Sequence, residues 1–166
     1  MVCRLTQSDA DSFPVVVPVQ DPNVRGLCRR PYAGHPKGCP NWNKRSVCPP
    51  ESSQLKDLLN SEKPVYCIYN KFDLAEHIAR MRKKHPDWSE RQLHCCLYWQ
   101  GTARKQLREK VKAFLVRHPG QLVLPVPEAC SVDVTATMAT IGITLEWPPK
   151  QFAYQVALAG TPLSKE

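Results

Sequence analysis

The chain has 166 residues, of which 42% are hydrophobic and 23% charged, and this composition excludes a largely disordered protein. Its length suits one domain with one sizeable core, so we expect residues 1–166 to fold as a single unit. The net charge of +8 favours anionic partners such as phosphates, nucleic acid or acidic metabolites. No apolar run reaches the roughly 20 residues of a membrane-spanning helix, and the amino terminus has no signal-peptide core. We therefore expect a cytoplasmic protein without a membrane partner.

The amino-terminal third offers few core elements. Residues 1–14 predict a loose tail. The β-branched run at residues 15–19 is interrupted by Pro18, which a central strand does not tolerate, and it predicts an edge strand. Residues 28–50, named the cysteine loop below, contain too few aliphatic side chains to form a core element.

More regular elements follow the cysteine loop. Leucines at helical spacing predict a short helix within residues 52–59, and the apolar run at residues 65–69 is typical of a strand buried on both faces. Cys67 lies in the middle of that strand and is predicted to be a core thiol. Asp73 is placed to cap the next helix, and residues 89–92 match a capping box.

The carboxyl-terminal half alternates helices and short strands. After a break at Gly101, an amphipathic helix is predicted, with cations on a face that we expect to be solvated. It is followed by a strand at residues 122–124, a helix capped by Asp133, and strands at residues 143–145 and 152–158. The mixed order of strands and helices predicts an α+β fold. We expect a small mixed sheet of three to five strands, covered mainly on one side by helices, with residues 160–166 as a second loose tail.

The cysteine loop indicates a metal site. It places Cys28, Cys39 and Cys48 among prolines and cations, where burial cannot order the chain, and thiolate coordination is the simplest alternative. Proline directly follows Cys39 and Cys48, as it follows ligating cysteines in iron–sulfur loops. The gaps of ten and eight residues are wider than those of a zinc knuckle and favour a cluster. The competing interpretation is a proline-rich loop with incidental cysteines, or one disulfide and a spare thiol.

Three thiolates leave one position of a four-ligand site undecided. Cys130 is the leading candidate because it also lies in a loop beside prolines, and an open position is the main alternative. At most one of Cys95 and Cys96 could reach the site, since neighbours on a helix point about 100° apart. His35 is a further candidate. The predicted metal ligands are Cys28, Cys39, Cys48 and Cys130, with a [4Fe–4S] cluster as the expected cofactor and zinc as the alternative.

Two blocks of residues resemble those of a known family. They are Gly38-Cys39-Pro40-Asn41 with Cys48-Pro49-Pro50, and Glu128-Ala129-Cys130-Ser131-Val132-Asp133-Val134 with Gly142. The family is a widespread microbial group of uncharacterised, predicted metal-binding, cysteine-rich proteins. The resemblance implies a cysteine-bound metal, with iron–sulfur favoured, and supplies no reaction. Members carry a further Cys-x-x-Cys group ahead of the second block, and this chain has none there.

Three functions are compatible with these residues. The first is an iron–sulfur-dependent, non-redox enzyme of the lyase or sulfur-transfer type, acting on a small anionic or phosphate-containing substrate. Its substrate-binding residues would be Arg29, Arg30, His35, Lys37, Lys44 and Arg45. The second is a structural zinc or iron–sulfur module that presents a basic surface to nucleic acid or a protein partner, with Trp42 and Tyr32 suited to base stacking. The third is an electron-transfer protein with a closed four-cysteine cluster. No catalytic acid or base can be named from the sequence.

Overall fold

The computed structural model describes residues 12–31 and 35–164, so the first eleven residues of the predicted amino-terminal tail lie outside the described part. The strands within it are β1 (Val15–Val16), β2 (Val65–Asp73), β3 (Leu122–Leu124) and β4 (Phe152–Gly160). The α-helices are α1 (Leu74–Lys84), α2 (Glu90–Leu93), α3 (Gln100–Arg117) and α4 (Val134–Ala139). Short 3-10 helices occur at Pro22–Arg29, Leu55–Asp57, Cys96–Tyr98 and Pro127–Cys130. No helix in these ranges has the length and hydropathy needed to cross a bilayer.

The strands form one antiparallel sheet in the order β1-β2-β4-β3. Its centre is the long pair of β2 and β4, which runs from Val65 opposite Gly160 to Asp73 opposite Phe152. The two-residue strand β1 lies at one edge, as Pro18 predicted. The α+β class and the number of strands are thus confirmed. Every neighbouring pair is antiparallel, however, so the expected mixture of parallel and antiparallel pairs is not found.

Helices cover both faces of the sheet rather than mainly one. On the first face, Cys67 of β2 belongs to a core cluster with Met138 of α4. On the second face, the adjacent Ile68 packs with Leu107 and Phe114 of α3. Successive side chains of a strand point to opposite faces, so a strand that is apolar at consecutive positions needs cover on both sides.

Three helices begin where local cap chemistry predicts. The Asp73 side chain accepts the Glu76 N–H at 2.8 Å, and the Asp133 side chain accepts the Ala136 N–H at 2.9 Å. Ser89 opens α2 with a complete capping box. These side chains satisfy N–H groups that the first helical turn leaves without a partner inside the helix.

Several local predictions are wrong. Gly101 does not break the helix but lies in the first turn of α3, where a Cβ would meet nothing within 4 Å. The helix predicted within residues 52–59 is only a 3-10 turn at Leu55–Asp57. Residues 143–145 form no strand, because the Ile143 N–H donates to the Met138 carbonyl at 3.1 Å and closes the end of α4 instead of a ladder. The second predicted tail is also partly tied down, since Gly160 ends β4.

Candidate metal centre

Hydrogen bonds from one arginine and one serine join three segments that are distant in sequence. Arg25, on the 3-10 helix Pro22–Arg29, donates through Nη2 to the carbonyls of Pro50 at 2.8 Å and Ser52 at 2.7 Å. The buried Ser52 hydroxyl donates to the Ala129 carbonyl at 2.7 Å. The segments carrying Cys28, Cys48 and Cys130 are therefore held together by residues that are not themselves metal ligands.

The same segments are anchored to the core on the α4 side of the sheet. The Asp21 N–H donates to the Ser131 carbonyl and the Asp133 N–H to the Val19 carbonyl, both at 2.8 Å. Between them, Val132 is completely buried in the core cluster that contains Cys67. The segment that leads into the cysteine loop is thus hydrogen-bonded to the edge of the main core cluster.

A buried glycine brings Cys28 and Cys39 together. Gly38 has a φ of +83°, and a Cβ at this position would stand 2.6 Å from the Cys28 carbonyl oxygen. The Cys39 N–H donates to that same oxygen at 2.7 Å. Only glycine combines the left-handed conformation with so close a backbone approach.

Tight turns shape the loop around Cys48. The Cys48 N–H donates to the Arg45 carbonyl and the Asn43 N–H to the Pro49 carbonyl, both at 2.9 Å. Asn43 has a φ of +53°, a conformation that asparagine tolerates better than most residues. Backbone turns rather than a hydrophobic face therefore order this part of the loop.

The three loop cysteines share one electrostatic environment. Burial raises the pKa of the Cys28 thiol, and negative charge on Cys39 or Cys48 raises it further. The carboxyl of Glu128 contributes in the same direction, and a backbone hydrogen bond opposes it. The Cys28 thiol therefore lies within electrostatic reach of the other two loop cysteines.

The fourth predicted ligand has different neighbours. Cys130 is buried at the end of the 3-10 helix Pro127–Cys130. Burial raises the pKa of its thiol, the positive charge of Arg25 lowers it, and Glu128 raises it. Glu128 acts on both Cys28 and Cys130, and burial raises its own pKa as well.

These groups do not form a closed coordination site. In residues 12–31 and 35–164, no three histidine, cysteine, aspartate or glutamate side chains are arranged to hold a metal ion. The seven cysteines of these ranges are all free. Thiols are ligands that a thiophilic metal prefers, but the described loop thiols are not gathered into a group that could hold one.

The remaining cysteines lie elsewhere. Cys67 has no exposed surface, its Sγ lies 3.5 Å from the Met138 Sδ, and burial raises its pKa to about 12, which confirms a core thiol. Cys95 and Cys96 were predicted within a helix but lie between α2 and α3, and Cys96 packs against the core cluster that contains Trp99.

A cleft of about 610 Å³, named the thiol cleft, opens along the cysteine loop. The structure places four predicted substrate-binding residues in its wall, namely Arg29, His35, Lys37 and Lys44, beside Cys28 and Cys39. Trp42 also lines the cleft, and the Arg29 guanidinium carbon lies 5.8 Å from the centre of the Trp42 ring. Tyr32 falls outside the described residues. Among the described residues, the lining is cationic and contains no acidic side chain.

The other two predicted cations lie elsewhere. Arg30 faces a second cleft, of about 590 Å³, whose wall includes Glu128. Arg45 is exposed on the loop, where its carbonyl accepts the Cys48 N–H. The thiol cleft is thus lined by four of the six predicted substrate-binding residues.

Sequence reasoning missed Arg25, Ser52 and Glu128 as parts of this centre. Each is separated from at least one of the cysteines that it approaches by a long stretch of chain, so no local spacing identifies it. The available signal was weak: Glu128 precedes Cys130 by two residues in a segment flanked by prolines.

Comparisons of this chain with protein-family models, with curated proteins and with solved structures found no match.

Proposed function

We propose that this is a cytoplasmic, cysteine-ligated metal protein, in which Cys28, Cys39 and Cys48 hold a [4Fe–4S] cluster. The observation that supports this proposal is the proximity of the loop thiols: burial raises the pKa of the Cys28 thiol, and negative charge on Cys39 or Cys48 raises it further. Thiols near one another repel as thiolates and gain from a cation that all of them can ligate. A cytoplasmic location suits free cysteines, because thiols stay reduced there.

Closure of the loop is part of the proposed binding event. The start and end of the cysteine loop are fixed by Arg25 and Ser52, whereas the turn that carries Cys39 is held by backbone hydrogen bonds. The proposal requires a shift of this turn that gathers the three thiols around the metal. Binding then releases their protons, so metal affinity rises with pH until the thiols are ionised.

The fourth coordination position is assigned to Cys130 or remains open. Cys130 belongs to a segment joined to the loop through Ser52, and this connection favours a closed site. An open position would supply a Lewis-acidic iron for a non-redox reaction of the lyase or sulfur-transfer type. The two arrangements differ in whether removal of the Cys130 thiol releases the metal.

The substrate class follows from the thiol cleft. Arg29, Lys37 and Lys44 line it, and no acidic side chain occurs among the described residues of its wall, so it attracts a carboxylate or phosphate. Its volume of about 610 Å³ lies within the usual range for small-molecule sites. These side chains would bind and orient a small organic anion beside the cysteines.

The second candidate is a structural zinc or iron–sulfur module that presents this surface to nucleic acid or a protein partner. The position of Arg29 near the Trp42 ring favours it, because an arginine and an aromatic ring together form a stacking platform for bases. A closed cluster that only transfers electrons is the third candidate.

The test is anaerobic purification followed by metal and sulfide analysis with an absorption spectrum. We expect iron with near-equal acid-labile sulfide. One zinc per chain without sulfide would instead support the structural module, and a metal-free protein after reconstitution would contradict all three candidates.

Cysteine variants then separate the two fourth-ligand arrangements. Cys39→Ala should lose the metal in both, whereas Cys130→Ala should lose it only if the site is closed. Cys95→Ala is the matched control, because it removes a partly buried thiol outside the loop. If Cys39→Ala kept as much metal as Cys95→Ala, the ligand assignment would be wrong.

A further inference from the structure

Helix α3 is a strongly cationic part of this chain. The helix contains six lysine or arginine residues and a single acidic residue, Glu109. Its apolar side is already occupied, because Ala103, Leu107 and Phe114 are buried against the sheet. Most cationic side chains of α3 therefore lie on the sides of the helix that face away from the sheet.

Two of the six cations serve the fold. The Lys110 ammonium donates to the Tyr69 carbonyl at 3.2 Å. The Arg117 guanidinium carbon lies 5.8 Å from the centre of the Phe13 ring. The other four, Arg104, Lys105, Arg108 and Lys112, are exposed and are named the α3 row below.

The α3 row forms one patch rather than four separate charges. Lys112 pairs with Glu109 at 3.0 Å, and this hydrogen bond lowers the pKa of the Glu109 carboxyl. Lys105 and Arg108 lower it further. Three cations of the row therefore act on a single carboxylate. Like charges four residues apart, as in Arg104, Arg108 and Lys112, destabilise an isolated helix slightly, and a polyanion would relieve that repulsion.

We propose that the α3 row binds the phosphate backbone of double-stranded nucleic acid without reading its sequence. From residue 104 to residue 112 the row is about 12 Å long at a rise of 1.5 Å per residue, which matches three to four phosphates of one strand at about 3.4 Å each. A convex row of charges suits a polymer better than a small anion, which needs a concave site. The row contains no aromatic side chain, so stacking on single-stranded bases does not explain it.

This surface is separate from the thiol cleft and does not depend on a metal. α3 packs against Ile68, whereas Cys130 belongs to the core cluster of Cys67 on the opposite face of the sheet. An anionic membrane surface is the competing partner, because Val116 at the end of the helix is 83% exposed. The buried side of α3 cannot insert into lipid, and this favours nucleic acid.

The test compares three variants by fluorescence anisotropy with a random-sequence duplex DNA. The row variant combines Lys105→Gln, Arg108→Gln and Lys112→Gln. Its matched control, Lys56→Gln with Lys63→Gln and Lys150→Gln, removes the same charge from exposed sites on other segments. The loop variant combines Arg29→Gln, Lys37→Gln and Lys44→Gln.

Salt dependence gives the expected size of the effect. With three to four phosphate contacts, wild-type affinity should fall about 40- to 150-fold between about 50 mM and about 200 mM salt, since each contact adds about 0.9 to the logarithmic slope. The affinity of the row variant should fall by no more than about fourfold over the same range, because at most one contact remains. The control and the loop variant should keep the wild-type slope.

Other results would overturn the proposal. An equal loss of duplex affinity in the row variant and its control would show that only net charge matters. A loss of duplex affinity in the loop variant alone would show that the duplex binds at the thiol cleft. Binding to vesicles of anionic phospholipid without binding to the duplex would identify a membrane surface. Circular dichroism is the folding control: an unchanged spectrum of the row variant excludes unfolding as the cause of its weaker binding.

Discussion

Replacing Gly38 with alanine should disrupt the cysteine loop more than the same change at another glycine with positive φ. An alanine in the left-handed region costs about 1–2 kcal/mol. At position 38 its Cβ would also stand 2.6 Å from the Cys28 carbonyl oxygen and 2.9 Å from the Arg29 carbonyl carbon. Both are backbone atoms, so the loop itself must move. Loss of the Cys39 N–H bond to Cys28 adds about 1 kcal/mol. The expected total is about 2–3 kcal/mol.

Gly120→Ala is the matched control for this prediction. Gly120 has a φ of +81°, and a Cβ there would meet nothing within 4 Å, so only the conformational cost of about 1–2 kcal/mol applies. Urea unfolding followed by circular dichroism measures both variants, and metal content after reconstitution measures the loop. We expect Gly38→Ala to lose more stability than Gly120→Ala and to bind less metal. Equal stability and equal metal content in the two variants would refute the close-approach argument.

Two further predictions concern the core. Phe114→Ala should lower the free energy of unfolding by about 3–5 kcal/mol in urea, because the ring has no exposed surface and its loss leaves a cavity. Val116→Ala, at a side chain that is 83% exposed, should change it by less than about 0.5 kcal/mol, and a similar loss in both would contradict the assigned buried face of α3. Cys67 is neutral in the fold, and its pKa rises from 9.0 to about 12, so the folded state binds the proton more tightly than the unfolded state. The contribution of this thiol to the free energy of unfolding is complete below pH 9. Between pH 9 and about pH 12 the free energy of unfolding should fall by about 1.4 kcal/mol per pH unit. Urea unfolding measured across this range should show this fall in the wild type and not in Cys67→Ala.

The parts of the fold that depend on neighbouring residues could be predicted from the sequence. Asp73, Ser89 and Asp133 begin helices because a cap needs only the next few N–H groups. Neighbouring residues alone could not show that residues 143–145 form no strand. An apolar triplet becomes a strand only when a partner edge is available, and here its first N–H closes a helix instead.

The candidate site was predictable to the extent that it lies in one continuous segment. The spacing of Cys28, Cys39 and Cys48 identified them as candidate ligands, and in the structure Cys39 and Cys48 lie within electrostatic reach of the Cys28 thiol. Arg25 and Glu128 were missed although each lies close in sequence to one site cysteine, since the contacts that give them a role form only when remote segments meet. The cations of the loop were predicted as one group, yet Arg30 turns to a different cleft, because a chain that bends at every few residues does not keep its side chains on one side.

The central strand pair imposes an order on folding. β2 and β4 pair along their whole length, although the chain from residue 74 to residue 151 lies between them. During synthesis β2 is therefore complete long before its main partner exists, and of the described strands the one already available to pair with it is the two-residue β1. Such non-local pairing slows folding and leaves an apolar edge exposed to other chains. The helices between the two strands are local structures that can form in the meantime, and the core of the sheet closes only when β4 arrives.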